Sequence, residues 1–247
     1  RPSPGGASWR VLNLLPRLLD LFCGAGGAAM GYFRAGFNEI VGVDNRPMPR
    51  YPFTFVQADA LEYVAEYGKD FDAIHASPPC QRYSEQTPLR YRALAPDLIA
   101  PTRDVLTTIG IPWVIENVEN ARRHMRTSIL LCGTMFDLNL FRHRYFESDG
   151  DLGLSPMSCN HSTRPVPLHA GSNSRRGPVA PTGTTRRKSG RFEWPVKVCR
   201  EAMGIPWMTR TELDQAIPPA YTEFVGRQLI TVLSARSVEG IDCDYDK

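Results

Sequence analysis

The chain lacks any run of eighteen apolar residues, so no membrane-spanning helix is expected. It has only six cysteines in 247 residues, at 23, 80, 132, 159, 199 and 243. That is too sparse for a disulfide framework, and reduced thiols in a cytoplasm are expected. The stretch from Arg1 to Arg10 has no signal-peptide apolar core, so secretion has no support. No Lys-Ser/Thr pair follows the one Gly-rich turn near the start, which argues against a nucleotide P-loop. No internal repeat is found. With 42% hydrophobic and 22% charged residues, the composition is that of a globular protein able to bury a sizeable core.

Charge is unevenly placed. The formal net charge is only +3, yet residues 151–200 carry nine basic residues against Asp151 and Glu193. That segment is therefore +7 and the remainder −4. Within it, 170–190 (AGSNSRRGPVAPTGTTRRKSG) has few large apolar residues and is expected to be a loop ordered by an anion it grips. A solvated surface loop is the plainer alternative.

Elsewhere short apolar runs alternate with amphipathic ones. Strands are expected at Leu18–Phe22, Ile40–Val43, Phe53–Val56, Phe71–Ala76, Trp113–Glu116, Ile129–Cys132 and Arg144–Glu147. Helices are expected at Ala28–Ala35 with Gly36 as its stop, at Ala60–Tyr67, and at Leu94–Ile109 disturbed by Pro101. Three more follow at Val196–Met203, Thr211–Ala216 and Tyr221–Ala235. Alternation of this kind predicts an α/β fold, a Rossmann-like, mostly parallel sheet with helices on both faces, with a small loop-rich region added. The boundaries read as a catalytic domain over 1–148, a basic region over 149–195 and returning helices over 196–247.

Ligands of such sheets sit beyond the carboxyl ends of the strands. The residues there are Phe22 to Gly27, Asp44-Asn45, Asp59, Ser77 to Gln81, and Glu116-Asn117-Val118. Glycines permit a tight turn and close backbone approach to a ligand. An acid after the second strand commonly accepts from ribose hydroxyls, although Asp44 and Asp59 could each simply cap a helix. Cys80 is framed by Pro78-Pro79, which presents the thiol at a strand end and favours a nucleophile over a core cysteine. Glu116 close to it would carry a raised pKa and could donate a proton. Arg142 and Arg144 share one face if they lie on a strand, and would hold an anion between them; a pair of surface charges balanced by Glu147 is the alternative. Cys159-Asn160-His161 offers two metal ligands but no second pair at ligand spacing, so no metal is expected.

In this order, these clusters resemble the DNA cytosine-C5 methyltransferase family over most of the chain outside about residues 150–195. Asp20 to Gly27 is similar to the family's first motif, which holds S-adenosyl-L-methionine. Pro78-Pro79-Cys80-Gln81, with Tyr83-Ser84 following, is similar to the nucleophile motif, and Glu116-Asn117-Val118 to the catalytic Glu motif. Arg142 and Arg144 resemble its Arg-x-Arg motif. Ala216 to Tyr221, with Gly226, resembles the last motif, which closes the cofactor pocket. The chain departs from the pattern at Leu140, where the family has Gln or Asn, and at Asp214-Gln215, where it has Gly-Asn.

The resemblance implies methyl transfer from S-adenosyl-L-methionine to C5 of a flipped-out cytosine. Cys80, Glu116, Arg142 and Arg144 would be catalytic, with Arg144 or Arg82 lowering the Cys80 pKa. Phe22, Gly24, Ala25, Gly26, Asp44, Asn45, Asp59, Ala60, Pro79, Gln215 and Ala216 would hold the cofactor. Gln81, Arg82, Ser84, Arg175, Arg176, Arg186, Arg187 and Arg191 would contact nucleic acid, and loop 81–93, with Tyr83, Arg90 and Arg92, would close over the base. The implied setting is a monomer on double-stranded DNA in the cytoplasm of a bacterial or phage-infected cell, serving restriction-modification. Modification of tRNA, transfer of a bulkier sulfonium substituent and a catalytically silent DNA binder are the alternatives.

Overall fold

Asp20 and His75 are paired across two adjacent parallel strands at the centre of the sheet, both fully buried. The computed structural model describes residues 16–85, 87–150, 158–162, 185–186 and 192–239. The strands are β1 (Arg17–Leu21), β2 (Glu39–Asp44), β3 (Thr54–Gln57), β4 (Ala73–Ala76), β5 (Trp113–Val118), β6 (Ser128–Leu131) and β7 (Arg144–Ser148). Their order is β3-β2-β1-β4-β5-β7-β6. β1 to β5 run parallel, and β7 is antiparallel to both neighbours. The helices are α1 (Gly27–Ala35), α2 (Ala60–Tyr67), α3 (Leu89–Arg92), α4 (Ile99–Ile109), α5 (Val196–Met203), α6 (Arg210–Gln215) and α7 (Pro219–Glu239).

The sheet is covered on both faces, as the alternation predicts. Leu18, Ala73, Val114 and Phe146 pack on one face with Ala28, Ala29 and Tyr32 of α1 and Tyr221, Val225 and Leu229 of α7. Leu19, Leu21, Ile74 and Ile115 pack on the other with Val64 of α2 and Ile99 and Leu106 of α4. A third cluster joins Leu140 to Cys199, Met203, Met208 and Leu213 of the returning helices. Leu140, the departure from the family pattern, is therefore a core residue.

Three expectations need correction. The helix expected from Leu94 begins at Ile99, which puts Pro101 in its first turn, where the missing N–H leaves no bond unmade. Pro96 precedes it and disfavours helix at Ala95. Arg142 precedes β7 rather than lying on it, because the strand starts at Arg144. The segment expected to be all loop contains β8 (Thr185–Arg186), paired antiparallel with β9 (Phe192–Glu193). The two strands pair backbone groups with each other.

Strand order reverses between β1 and β4, so the loops leaving their carboxyl ends diverge and leave a crevice. The Gly-rich turn follows β1, and Pro78-Pro79-Cys80 follows β4.

Candidate active site

Two turns and two strand ends build the site. After β1 the chain takes a left-handed step at Phe22 (φ 55°), again at Gly24 (φ 50°) and again at Gly26 (φ 82°). Such a conformation is unfavourable for a bulky aromatic, and such strain persists where the surroundings enforce it. Here Cys23 N–H donates to the Val43 carbonyl at 3.1 Å, and Gly24 N–H donates to Asp44 Oδ2 at 3.2 Å. Asp44 Oδ1 accepts from Arg46 N–H at 3.0 Å. The Ala25 carbonyl accepts from the Trp207 indole at 2.9 Å. A Cβ at Gly24 would have nothing within 4 Å, whereas one at Gly26 would strike Pro52 at 2.5 Å. The turn thus presents open space on one side and is clamped on the other. An open cradle bounded by a buried carboxylate suits a nucleoside-bearing ligand with ribose hydroxyls. Asn45 is exposed next to Asp44. Asp59 caps α2, accepting from Leu61 and Glu62 N–H, and Ala60 turns its methyl into the core. Ala216 lies against Gly27, while Gln215 is exposed at the end of α6.

Cys80 lines a pocket of about 350 Å³ together with Ser84, Glu119, Arg142, His143, Arg144 and Asp214. The Cys80 carbonyl accepts from Tyr83 and Ser84 N–H at 3.0 and 2.9 Å, folding the chain back after the nucleophile motif. Pro79 is half-buried before it. From β5, Asn117 donates its amide to the Pro78 carbonyl at 2.9 Å. Two positions the sequence separates by 39 residues are thereby fixed to each other. Glu116 is buried, and Arg144 Nε lies 2.9 Å from its Oε1 in a charge contact not aligned as a hydrogen bond. Arg142 donates to the Asp214 carbonyl at 2.8 Å, and its own carbonyl accepts from the Tyr221 hydroxyl at 2.6 Å.

Burial pushes the Glu116 carboxyl up from its ordinary value, against the pull of Arg144, Arg142 and a hydrogen bond from Ser77. The direction agrees with expectation. Burial also pushes the Cys80 thiol up, outweighing the pull of Arg144 and Arg142. That corrects the expectation of a lowered thiol: desolvation wins over the guanidinium. Arg142 falls to about 9 because it is buried beside a second guanidinium.

The remaining candidates divide. Arg82 turns to the Ala95 carbonyl at 3.1 Å and to Asp97 at 3.6 Å, so Arg144 rather than Arg82 is the cation at the thiol. Gln81 is exposed. Tyr83 is buried, its ring tilted against that of His124 and its hydroxyl bonded to Asp97, which removes it from any closing loop. Arg90 lies over the Tyr91 ring and Arg92 donates to the Thr87 carbonyl. Glu147 pairs with Arg103 in a buried ion pair and does not balance Arg142 or Arg144. Arg175, Arg176, Arg187 and Arg191 lie outside the described residues, and Arg186 belongs to β8.

A family model for C-5 cytosine-specific DNA methylases matches residues 16–131. The Type II methyltransferase M.HgiGI of Herpetosiphon aurantiacus is 30% identical over 119 residues, covering 43% of this chain and 93% of that protein. This chain belongs to the C-5 cytosine-specific DNA methylase family. It is a DNA cytosine-C5 methyltransferase that uses S-adenosyl-L-methionine as methyl donor. Type II methyltransferase M.HgiDI of the same organism is 30% identical over 118 residues, 43% of this chain but 38% of that protein. Among solved structures, a putative DNA modification methyltransferase encoded within an E. coli prophage has a TM-score of 0.59 at 15% identity, covering 89% of this chain and 99% of that one. Entamoeba histolytica methyltransferase EhMeth has a TM-score of 0.57 at 11% identity, with the same two shares of 89% and 99%. At those identities the likeness is one of fold. Among the described residues of this methyltransferase, no helix is long and apolar enough to cross a membrane.

Sequence reasoning missed Trp207 as a clamp on the Gly-rich turn after β1 and His75 as a link between Tyr32 and Ser77. His75 bonds the Tyr32 hydroxyl at 3.0 Å and the Ser77 hydroxyl at 2.9 Å, and Ser77 in turn reaches Glu116. A lone buried histidine in a strand carries no sequence signal for such a role.

Proposed function

We propose that this methyltransferase works through a covalent adduct between the Cys80 sulfur and C6 of a cytosine taken out of duplex DNA. The observation that carries the reading is that Cys80, Arg142 and Arg144 line one pocket while Arg144 also holds Glu116 of β5. Cytosine C5 is a poor nucleophile. Addition of the Cys80 thiolate at C6 moves electron density to C5, and Glu116 relieves the charge at N3 by hydrogen bonding or protonation. S-adenosyl-L-methionine supplies an electrophilic methyl group on a sulfonium. As the C5–methyl bond forms, the sulfonium S–CH3 bond breaks to leave a neutral thioether; solvent base then takes the C5 proton, and the C6–sulfur bond breaks to expel the Cys80 thiolate by β-elimination. The target atom cannot be reached inside the stack, so the base must leave it.

Phe22, Gly24, Ala25, Gly26, Asp44, Asn45, Asp59, Ala60, Pro79, Gln215 and Ala216 are the residues we assign to the donor, Asp44 to its ribose and Gly24 to the open side of the turn. Gln81 and Ser84 flank the nucleophile and face the DNA. The basic stretch, which includes Arg175, Arg176, Arg186, Arg187 and Arg191, is assigned to recognition, mainly through phosphates. The units are the catalytic domain 1–148, recognition region 149–195 and returning helices 196–247. Type II relatives in a bacterium support a restriction-modification role, with a monomer acting in the cytoplasm of a bacterial or phage-infected cell.

Bisulfite sequencing of duplex DNA treated with enzyme and S-adenosyl-L-methionine tests the reading. Protected cytosines at one recurring sequence are expected, with Cys80→Ser leaving none. Methylation of tRNA with duplex DNA untouched, or transfer by Cys80→Ser at the normal rate, refutes it.

A further inference from the structure

Beside Phe141 and His143, four potential metal ligands converge. Cys132 Sγ, a nitrogen of His143, Cys159 Sγ and a nitrogen of His161 all lie within 4.8 Å of one another. The segment Cys159-Asn160-His161 offers half a site in sequence. The other half comes from the end of β6 and from the residue between the two site arginines. We propose that these four residues bind one zinc ion that fastens the entry of the basic region to the backbone carrying Arg142 and Arg144.

The geometry suits a tetrahedral ion. His143 Nε2 and His161 Nε2 are 3.3 Å apart, Cys132 Sγ and His161 Nε2 are 3.3 Å apart, and Cys159 Sγ and His143 Nε2 are 3.9 Å apart. Ligand atoms on a tetrahedron with zinc-type bond lengths stand about 3.3–3.8 Å from one another. The orientation of the ring argues the same way. His143 Nδ1 faces Glu119 Oε2 at 3.2 Å. A carboxylate only accepts, so Nδ1 is the donor in this contact and Nε2 is the ring nitrogen left facing the cluster. A carboxylate behind a metal-bound imidazole is the usual outer partner of a zinc histidine.

The surroundings hold the set together. Cys132 is fully buried, and its sulfur also accepts from the Thr134 hydroxyl at 3.5 Å. Thr134 Oγ1 accepts in turn from Asn160 N–H at 3.1 Å, which anchors the segment 158–162 beside β6. His161 stacks on Phe141 at 4.0 Å and on His143 at 5.1 Å between ring centres. Two thiolates with two imidazoles select zinc over magnesium or calcium. Among the described residues nothing else ties 158–162 to the catalytic sheet through side chains of this kind. The region cannot supply a core of its own, and small units of that sort commonly rely on a metal.

Metal analysis of the full-length enzyme, purified without chelator and passed through gel filtration, should find one zinc per chain. Cys159→Ser and His161→Asn should each lose at least nine-tenths of it, while Cys80→Ser keeps it all. Chelator-stripped wild-type enzyme titrated with cobalt should develop the intense visible absorption of a tetrahedral ion with two thiolates, a readout that does not depend on any variant folding. Substoichiometric zinc that added zinc does not restore, equal zinc in Cys159→Ser, octahedral cobalt spectra, or a Cys132–Cys159 disulfide in the purified chain would each overturn the proposal. None of these results bears on methyl transfer by Cys80.

Discussion

Asn117 donates its side-chain amide to the Pro78 carbonyl at 2.9 Å, and this bond joins the strand carrying the acid to the loop carrying the thiol. The same side chain accepts from Val118 N–H at 2.9 Å, so its orientation is fixed at both ends. Asn117→Ala removes the tie and leaves a buried carbonyl without its donor. Misplacement of a reacting group by about an ångström lowers rate on the order of 100-fold. Steady-state assays should therefore show kcat down by about 10- to 100-fold, with KM for S-adenosyl-L-methionine nearly unchanged. An equal rise in both KM values with kcat intact would mean that Asn117 does not position Cys80.

The Cys80 thiol stands above its ordinary pKa, and Arg144 is the charge that most strongly opposes the rise. Only the thiolate adds to C6. Below its pKa the thiolate fraction grows about tenfold per pH unit, so single-turnover rate should climb with pH through the neutral and alkaline range. Arg144→Gln removes the opposing charge and should move this rising limb to higher pH. Arg144→Lys should bring it part of the way back. A pH profile unmoved by Arg144→Gln would take the guanidinium out of thiol activation.

Much of this architecture was legible because it rests on short-range rules. Gly36 ends α1, Asp59 caps α2, and Pro78-Pro79 closes β4, each for a reason local to the residue. The order of acids, glycines and thiol after successive strands was legible too, since a parallel sheet brings all those ends to one edge. What was hidden depends on contacts across the fold. Glu147 finds Arg103 instead of its strand neighbours, the buried Tyr83 finds Asp97 at the surface, and Cys132 and His143 meet Cys159 and His161 from separate elements. The Cys80 thiol failed the simple rule because burial, invisible in a linear chain, outweighed the arginines.

Beneath the cofactor turn, Asp20 and His75 are register partners with opposed titrations. Burial lifts Asp20 from 3.8 to about 7, against a hydrogen bond from Tyr51. The folded chain keeps a proton that the unfolded chain releases, so this contribution to stability is present below about 4 and is lost as pH rises through 7. Burial lowers His75 from 6.5 to about 3, so its contribution is full above 6.5 and is lost as pH falls toward 3. The two slopes oppose each other over one window. Melting temperature of Asp20→Asn should therefore rise more steeply with pH between about 4 and 6.5 than that of the wild type, and His75→Gln should do the reverse. Parallel profiles for all three proteins would contradict both assignments.

Two glycines of the cofactor turn separate a binding role from a folding role. At Gly24 a methyl would meet nothing within 4 Å, and only the left-handed φ of 50° opposes it. That conformation costs a non-glycine residue about 1–2 kcal/mol. Gly24→Ala should lower Tm by a few degrees yet weaken S-adenosyl-L-methionine binding at least tenfold in calorimetry, because the methyl enters the space assigned to the donor. At Gly27 the methyl would lie 2.5 Å from the Ile217 carbonyl oxygen and 3.3 Å from Ala216 Cβ. Backbone there must move, at about 1–3 kcal/mol, so Gly27→Ala should show the larger fall in Tm. If Gly24→Ala bound the donor as the wild type does, the open side of this turn would not be its seat, and Asp44 would have to hold the ribose from elsewhere.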